Sequence, residues 1–457
     1  NGQMENYSWS IVNFNSLLTA SFDWTINEDW GLNAVLGNEV IHQSKDYYYQ
    51  LGQSYTFAGW NNIANAATFS SQNRSYSRRT VGLFGSASAS YKNMLYFNTT
   101  GRQDVVSYMP RNNRTYFYPS VSLGWIFTEL EPLKNNILTY GKIRGSFAEV
   151  GMGERYLPSY YSAPTYSGGF YSGSPIIYPI SGVSAYTQYS YVYDPNLKPQ
   201  NTRSWELGAD FTLLNGLFTL NYTYSRQDVK DQIFEVPVAR STGYSYMITN
   251  GGKVHTNVHE ATLNVNPINT KNFSWDFGFN FSKIDNYVDE LADGVESIML
   301  GGFVDPQVRL QVGDKYPILY GTTFLRNDNG DIVVDENGLP QAGAEGKIGD
   351  VSPDFNLGFN TSFQIFRLRL SATFDWKCGG QMYLGTYNPA NYFVTTKHSQ
   401  RLRARGDFIF ERPAVTQNAD ASSSPNDIPV IAPKAYRFND QITASSSLDP
   451  LSVISAV

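Results

Sequence analysis

Hydrophobic and polar residues alternate with a period of two along much of this chain. The stretch from Thr80 to Phe127 shows the pattern in three consecutive segments, separated by the short Lys92-Asn93 pair and by a longer polar connection. A period of two places the two sets of side chains on opposite faces of a β-sheet. In the first segment Phe84 is the one large apolar residue within the polar set. The pattern predicts three neighbouring antiparallel strands with one apolar and one polar face.

The same alternation predicts about 12 strands in all. The predicted strands cover residues 18–26, 32–49, 80–91, 95–104, 117–127, 138–150, 205–213, 218–224, 261–265, 273–282, 355–365 and 368–376. Short turns alternate with long connections, and Asn215-Gly216 is the strongest hairpin signal because both residue types accept a positive φ. Residues 51–78 are polar and are predicted to form a long loop, while the first ten residues are too few to assign. Short turns at one end and long loops at the other are typical of an outer-membrane barrel.

Composition agrees with a transmembrane β-barrel. Charged residues are 16% and aromatic residues 15% of the 457 residues, with 33 tyrosines, whereas soluble domains carry about 25% charged residues. No apolar run approaches the roughly 18 residues of a membrane-spanning helix, and the first residues do not resemble a secretory signal. The net charge of −6 gives no electrostatic support for nucleic-acid binding. We expect an all-β, up-and-down antiparallel barrel over residues 1–390, with 391–457 as an extracellular loop or irregular tail.

The sequence offers little support for catalysis, a metal or a cofactor. His255 and His259 would lie roughly 13 Å apart on a strand, which is too far for one metal ion. Asp328, Asn329, Asp331 and Asp335 loosely resemble a calcium loop, but the adjacent Asn-Gly pairs explain them better as turns. Gly151-Met152-Gly153 lacks the context of a dinucleotide-binding loop, and the single Cys378 excludes an intramolecular disulfide. We expect a protein that is not an enzyme and that binds no metal or cofactor.

The connection from Gly151 to Thr202 is the best candidate for ligand contact. It is rich in Tyr, Gly, Ser and Pro and shows no periodicity, and long loops of this kind on a regular scaffold are usually functional or disordered. Its rings could stack on sugars or peptides, contact another protein, or pack within the loop. The candidate ligand-contact residues are Tyr160, Tyr161, Tyr166, Phe170, Tyr171, Tyr189 and Tyr191.

Four stretches of the chain resemble one known family. They are Thr80-Val81-Gly82-Leu83-Phe84-Gly85, Tyr116-Phe117-Tyr118-Pro119-Ser120-Val121-Ser122, Tyr140-Gly141-Lys142-Ile143-Arg144-Gly145-Ser146, and Asn196-Leu197-Lys198-Pro199-Gln200 through Ser204-Trp205-Glu206-Leu207-Gly208. Together, in this order and spacing, they resemble the barrel of SusC-type (RagA-like) TonB-dependent transporters of Bacteroidota. The resemblance extends from about residue 17 to about residue 390.

The resemblance implies a 22-stranded barrel in the outer membrane that crosses the lipid many times and encloses an N-terminal plug. Such proteins import oligosaccharides or peptides, driven by the TonB complex, with a SusD-like surface lipoprotein as a hinged lid. The plug and the terminal strands of that pattern are expected to be absent from this chain. About 12 strands would not close such a barrel, and open strand edges are not viable in lipid, so we expect a portion of a larger protein.

Two other functions remain open. A passive porin or a surface adhesin would have a similar wall without energy coupling, and a plug with a TonB-binding segment in the full reading frame would exclude it. Import of a siderophore or vitamin is the third possibility, and the SusC-type stretches argue against it.

Overall fold

The computed structural model describes residues 2–153, 170–171, 174–175, 190–292, 294–393, 395–405, 409–410, 414–417, 422–430 and 453–455. Twelve of its strands form one large sheet. These strands are β1 Gln3–Thr25, β2 Trp30–Tyr55, β3 Ala66–Tyr91, β4 Leu95–Val106, β5 Thr115–Ile126, β6 Leu138–Met152, β10 Gln200–Leu213, β11 Phe218–Lys230, β14 Lys253–Asn269, β15 Phe273–Glu290, β21 Pro353–Ile365 and β22 Leu368–Gly379. Their order in the sheet follows the chain from β1 to β22. The predicted number of strands and the up-and-down antiparallel order are therefore confirmed.

Short turns join the hairpins as the sequence indicated. Lys92 and Asn93 both adopt positive φ, 50° and 52°, between β3 and β4, which gives the twist that matches two antiparallel strands. Asn215 has a φ of 56° and Gly216 a φ of 92° between β10 and β11. Between β1 and β2, the side chain of Asn27 accepts hydrogen bonds from the backbone N–H of Asp29 and Trp30, each at 2.9 Å.

The predicted loop at residues 51–78 is wrong. β2 continues to Tyr55 and β3 begins at Ala66, so only residues 56–65 connect them. Residues 66–78 are mostly Ser, Asn, Gln and Arg and lack the apolar set that marks a strand with one buried face. These residues are nevertheless part of β3 because their backbone pairs with β2, beginning with the pair Tyr55–Ala66. β1 likewise begins at Gln3, within the first ten residues that the sequence left unassigned.

One face of the wall strands exposes large apolar side chains. Leu83 is 64% exposed, Phe117 62% and Leu123 55%, whereas Ser88 and Ser122 of the same strands occupy the other face. On β15, β21 and β22 the apolar face is a ladder of rings. Phe279 lies 5.0 Å from Phe359, which in turn lies 6.1 Å from Phe374. The apolar and polar sets are those that the alternation predicted.

The remaining strands form small sheets outside the large one. A three-stranded sheet contains β9 Tyr191–Tyr193, β12 Ile233–Pro237 and β13 Tyr246–Asn250, and a four-stranded sheet contains β16 Ser297–Gly302, β17 Gln307–Gln311, β18 Ile318–Phe324 and β20 Ala342–Asp350. A second three-stranded sheet joins β19 Ile332–Val334 to β24 Ala414–Gln417 and β25 Ser423–Pro425. Two further sheets are short pairs: β7 Phe170–Tyr171 with β8 Ser174–Pro175, and β23 Gln381–Tyr383 with β26 Val453–Ser455.

Two helices lie near the end of the chain, α1 Tyr387–Tyr392 and α2 Lys397–Arg405. Together with β24, β25 and β26 they show that the described part of 391–457 contains regular elements. Whether that stretch is an extracellular loop or a tail stays a prediction. Among the described residues, no helix has the length and apolar character needed to cross a membrane.

The chain divides into two compact units. The first contains Asn1–Glu129, Ile143–Trp205 and Val229–Gly251, and the second contains Leu130–Lys142, Glu206–Asp228 and Gly252–Val457. The candidate sites below belong to one unit or the other.

Candidate ligand-facing sites

An ion cluster lies on the polar face of the first unit. The guanidinium of Arg102 on β4 lies 2.9 Å from the carboxylate of Glu39 on β2 and 2.8 Å from that of Asp104 on its own strand. The side chains of Arg102, Glu39 and Asp104 keep 29%, 19% and 14% of their exposure, so the cluster is largely screened from solvent. Two carboxylates and one guanidinium leave it with a formal charge of −1. We call these three residues the Arg102 cluster.

Phe84 and two glycines form the row that supports Arg102. Phe84 pairs with Gly37 on one side and with Arg102 on the other, and its ring centre lies 5.6 Å from the guanidinium carbon. A Cβ on Gly37 would overlap the Phe84 ring, and a Cβ on Gly151 would overlap the ring of Tyr118, the β5 partner of Arg102. Because small residues face large ones across the strands, there is room for the rings beside a charged group.

The next row repeats this arrangement with Gly82 and Gly153. A Cβ on Gly82 would overlap both the Arg102 guanidinium and the Asp104 carboxylate, and a Cβ on Gly153 would lie 2.9 Å from the Tyr108 ring and 3.3 Å from the Tyr116 hydroxyl. Tyr116 is 9% exposed, and its hydroxyl has no hydrogen-bond partner among the described residues. Gly151 and Gly153 thus make room for tyrosines on the neighbouring strand, which gives Gly151-Met152-Gly153 a role unrelated to nucleotide binding.

A small hydrophobic core fixes the connections above this wall. It consists of buried side chains from β4, β5 and the connecting segments: Val106, Met109, Tyr116, Leu197, Ile233 and Ile248. Leu197 is 1% exposed, and its backbone carbonyl accepts a hydrogen bond from the Asn113 side chain at 3.2 Å. The Asn250 side chain accepts from the N–H of Lys198 and donates to the carbonyls of Lys198 and Asp231, at 2.6, 2.7 and 2.7 Å. The stretch Asn196-Leu197-Lys198-Pro199 is therefore an anchor for the connections.

Few of the predicted ligand-contact residues can be placed. Tyr160, Tyr161, Tyr166 and Tyr189 lie outside the described residues. Phe170 and Tyr171 form β7. Tyr191 lies on β9, with its ring centre 5.3 Å from that of Tyr246 at an interplanar angle of 24°, and it packs against the hydrophobic core described above. The structure thus gives Tyr191 a packing role, and ligand contact by these seven residues stays a prediction.

The second unit has a polar concavity of about 590 Å³ on β11, β14, β15, β21 and β22. Its polar lining consists of amide, hydroxyl and charged side chains: Asn221, Thr223, Glu260, Thr262, Asn280, Ser282, Asn356, Asp375 and Lys377. Within it, the Thr262 hydroxyl donates to the Asn280 side chain at 3.2 Å. Such a surface can hydrogen-bond a polar solute or a protein segment, and it contains no arrangement that suggests a reaction.

The histidines and the acidic loop serve local structure. His255 lies 2.8 Å from the carboxylate of Asp289, while His259 lies 2.8 Å from the Tyr222 hydroxyl, so the two rings have separate partners. In the loop near residue 330, the side chains of Asn327 and Asp335 accept backbone N–H hydrogen bonds two and four residues further on. The preference for turns over a calcium loop is thus supported. The described residues contain no group of three or more His, Cys, Asp or Glu side chains placed to hold a metal ion.

Sequence reasoning missed the Arg102 cluster. Residue 39 is distant along the chain from residues 102 and 104, and their proximity depends on the register of three strands. The available signal was Phe84, because an aromatic ring within a polar set needs a partner on that face. The glycines at 151 and 153 were a second signal, since glycine in a strand often marks a close approach of another group.

Comparison with known proteins identifies the family. Residues 1–422 match the family described as TonB dependent receptor-like, beta-barrel. A TonB-dependent receptor of Formosa agariphila is 26% identical over 330 residues, covering 66% of this chain and 32% of that relative. The TonB-dependent receptor SusC of Bacteroides thetaiotaomicron is 30% identical over 224 residues, covering 48% of this chain and 21% of that relative.

A solved structure shows the same fold. The structure of the RagAB peptide transporter has a TM-score of 0.68 at 17% identity and covers 86% of this chain and 43% of that chain. The chain thus spans less than half the length of the relatives it matches. The SusC-type, RagA-like resemblance of its motifs is confirmed, and the chain belongs to the TonB-dependent receptor-like β-barrel family.

Proposed function

We propose that the chain is part of the wall of an outer-membrane importer that takes up oligosaccharides or peptides with energy from the TonB complex. The observation that carries the proposal is the difference between the two faces of the strands. One face exposes Leu83, Leu123 and Phe117, as a lipid-facing wall requires. The polar face of the first unit presents the Arg102 cluster, and the second unit has a polar concavity of its own, as a polar passage or a plug-filled interior requires.

The family supports this choice of substrate and partners. SusC and the RagAB peptide transporter are relatives of this chain, and they favour a nutrient oligomer and a SusD-like surface lipoprotein over a siderophore or vitamin. A transporter rather than an enzyme is also what the family indicates. We expect the short turns to lie on the periplasmic side, and the connections near Leu197 and Tyr191 on the extracellular side.

Uptake measured in cells tests this function. Labelled oligosaccharides and peptides are supplied to the parent strain, to a strain lacking this gene, and to a strain lacking TonB. We expect uptake of one ligand class to be lost in both mutant strains. Uptake that needs this gene and persists without TonB would support a passive porin instead.

The partner is tested by purification. Full-length protein extracted from outer membranes with mild detergent should retain a surface lipoprotein. A protein that is isolated alone under conditions that preserve other membrane complexes would contradict the SusD-like partnership.

A further inference from the structure

The first three strands are much longer than a membrane requires. β1, β2 and β3 have 23, 26 and 26 residues, whereas β4 and β5 have 12 each. A transmembrane strand needs about 9–11 residues. The pairs β1–β2 and β2–β3 show no register shift, so each face can be followed along the whole length of these strands.

The apolar face ends partway along these strands. Its rows run from Trp24, Leu32 and Ala89 to Ser16, Val40 and Val81. Residues 32–40 of β2 match the roughly 9–11 residues that a tilted strand needs to cross a membrane. Beyond it polar and charged residues appear on the same face beside Phe14 and Val12, and from the row of Ser10, Asp46 and Ser75 onward the face is mainly polar. Given the proposed function, the strands leave the lipid near Val40.

The opposite face changes in the reverse direction. Next to the apolar band it carries polar groups such as Asn33 and Glu39, but beyond the band it carries rings and bases. We call six aromatic and basic residues of this face the aromatic–basic patch: Trp9, Lys45, Tyr47, Tyr49, Arg74 and Arg78.

The rings of the patch lie close together, with Trp9 exposed and Tyr47 and Tyr49 half-buried. The Tyr47 and Tyr49 rings are nearly parallel, at 11° with centroids 6.5 Å apart. Trp9 lies edge-on to Tyr47 at 5.9 Å and is 55% exposed. The Lys45 ammonium lies 3.6 Å from the Trp9 ring centre. The patch thus combines a cluster of partly exposed rings with a cation held beside them.

The charge of the patch is positive. Among the described residues, Lys45, Arg74 and Arg78 form no ion pair, since none of the carboxylates there lies within the 4.0 Å of a salt bridge to them. Glu5 is the one acidic side chain on this face of the three strands beyond Thr80. Three cations against one carboxylate give a local charge of +2 on a chain whose net charge is −6.

We propose that the aromatic–basic patch is a capture site for acidic oligosaccharides, which carry uronate or sulfate groups. Ring faces pack against the apolar C–H surface of a sugar, while guanidinium groups bind carboxylate and sulfate oxygens with charge-assisted hydrogen bonds. A protein partner would use the same rings and guanidinium groups, because Tyr, Trp and Arg are also enriched at protein interfaces, so the test below includes a peptide ligand. This site goes beyond the proposed function. It rests on that function only because the position of the membrane was taken from it.

The chain supplies matched controls for each contribution. Arg79 follows Arg78 directly and Tyr48 lies between Tyr47 and Tyr49, and both controls lie on the opposite face of the same strands. Full-length protein in detergent is titrated with tetragalacturonate, maltotetraose and a tetraglutamate peptide, and the dissociation constant is measured by calorimetry. Arg74→Gln and Arg78→Gln are each compared with Arg79→Gln, and Tyr47→Ala with Tyr48→Ala.

The expected result is selective binding of tetragalacturonate that weakens at high salt. Arg74→Gln and Arg78→Gln should each weaken it about ten-fold, since a hydrogen bond to a charged group contributes about 1.5 kcal/mol. Arg79→Gln and Tyr48→Ala should leave it unchanged. Equal binding of maltotetraose, equal losses in the control variants, or binding of tetraglutamate alone would each overturn the proposal. If uptake depends on TonB but the patch variants bind tetragalacturonate normally, only the patch proposal is refuted. If the patch variants lose binding but no uptake is detected in cells, only the importer proposal is refuted.

Discussion

Removing the Arg102 side chain isolates the contribution of the ion cluster. Arg102→Met keeps a long side chain over Phe84 but leaves Glu39 and Asp104 without their guanidinium. The gross attraction of one such pair is about 4 kcal/mol at 4 Å and an effective dielectric constant of 20, and the cost of desolvating the charges offsets much of it. Exposed pairs contribute about 0.2–1 kcal/mol, while breaking a buried pair costs about 3–5 kcal/mol. With 14% to 29% of side-chain exposure retained, we expect a loss of about 2 kcal/mol.

A double-mutant cycle separates charge pairing from packing. Arg102→Met, Glu39→Gln and the double variant are made in the full-length protein, and the free energy of unfolding is measured by guanidinium titration in detergent. We expect Glu39→Gln to recover part of the loss in the Arg102→Met background, with a coupling energy of about 1–2 kcal/mol. Arg79→Met, on the opposite face of β3, controls for the general effect of removing a guanidinium. A coupling energy below about 0.3 kcal/mol would show that the cluster behaves as an exposed pair and would refute the reasoning.

Two further predictions concern the connections and the membrane boundary. Asn250→Ala removes three hydrogen bonds to Lys198 and Asp231, so the free energy of unfolding should fall by about 2–3 kcal/mol and limited proteolysis should cut the nearby connections faster. The control is Asn13→Ala, which removes one exposed hydrogen bond to Gln43. Equal cleavage of the two variants would contradict the anchor role. Nitroxides at Phe22→Cys and Ser10→Cys, in a Cys378→Ser background, lie on one face of β1, and paramagnetic accessibility should show oxygen contact at position 22 and nickel-chelate contact at position 10. The same accessibility at both positions would refute a lipid boundary near Val40.

The sequence predicted the wall well because each strand there carries its own signal. On β15, for example, Phe277, Phe279 and Phe281 alternate with small polar residues, so one strand suffices to assign both faces. The extension of β3 could not be predicted in this way, because Ser, Asn and Arg occupy its outward face as well. Its pairing with β2 depends on backbone hydrogen bonds and on the register between the two strands, and neither is visible in local composition.

The candidate sites were harder to predict because they depend on neighbours in the sheet. Glu39, Arg102 and Asp104 meet only once the register of β2, β3 and β4 is known. The composition of the tyrosine-rich connection predicted ligand contact, yet the structure shows Tyr191 of this connection packed against Tyr246. Alternation within one strand reveals which face a residue lies on, whereas a site needs the cross-strand partner as well.

The two charged features on one face of β2 should be separable in function. Glu39 of the Arg102 cluster and Lys45 of the aromatic–basic patch are six residues apart on the same face, or about 20 Å along the strand. The cluster has a formal charge of −1 and is largely screened from solvent, so it disfavours an acidic ligand and stabilises the wall. The patch, counted together with Glu5 on the same face, has a charge of +2 and partly exposed rings, so it attracts the same ligand and contributes little to stability. Arg102→Met should therefore lower the free energy of unfolding without changing tetragalacturonate affinity. Arg74→Gln should lower tetragalacturonate affinity without changing the free energy of unfolding.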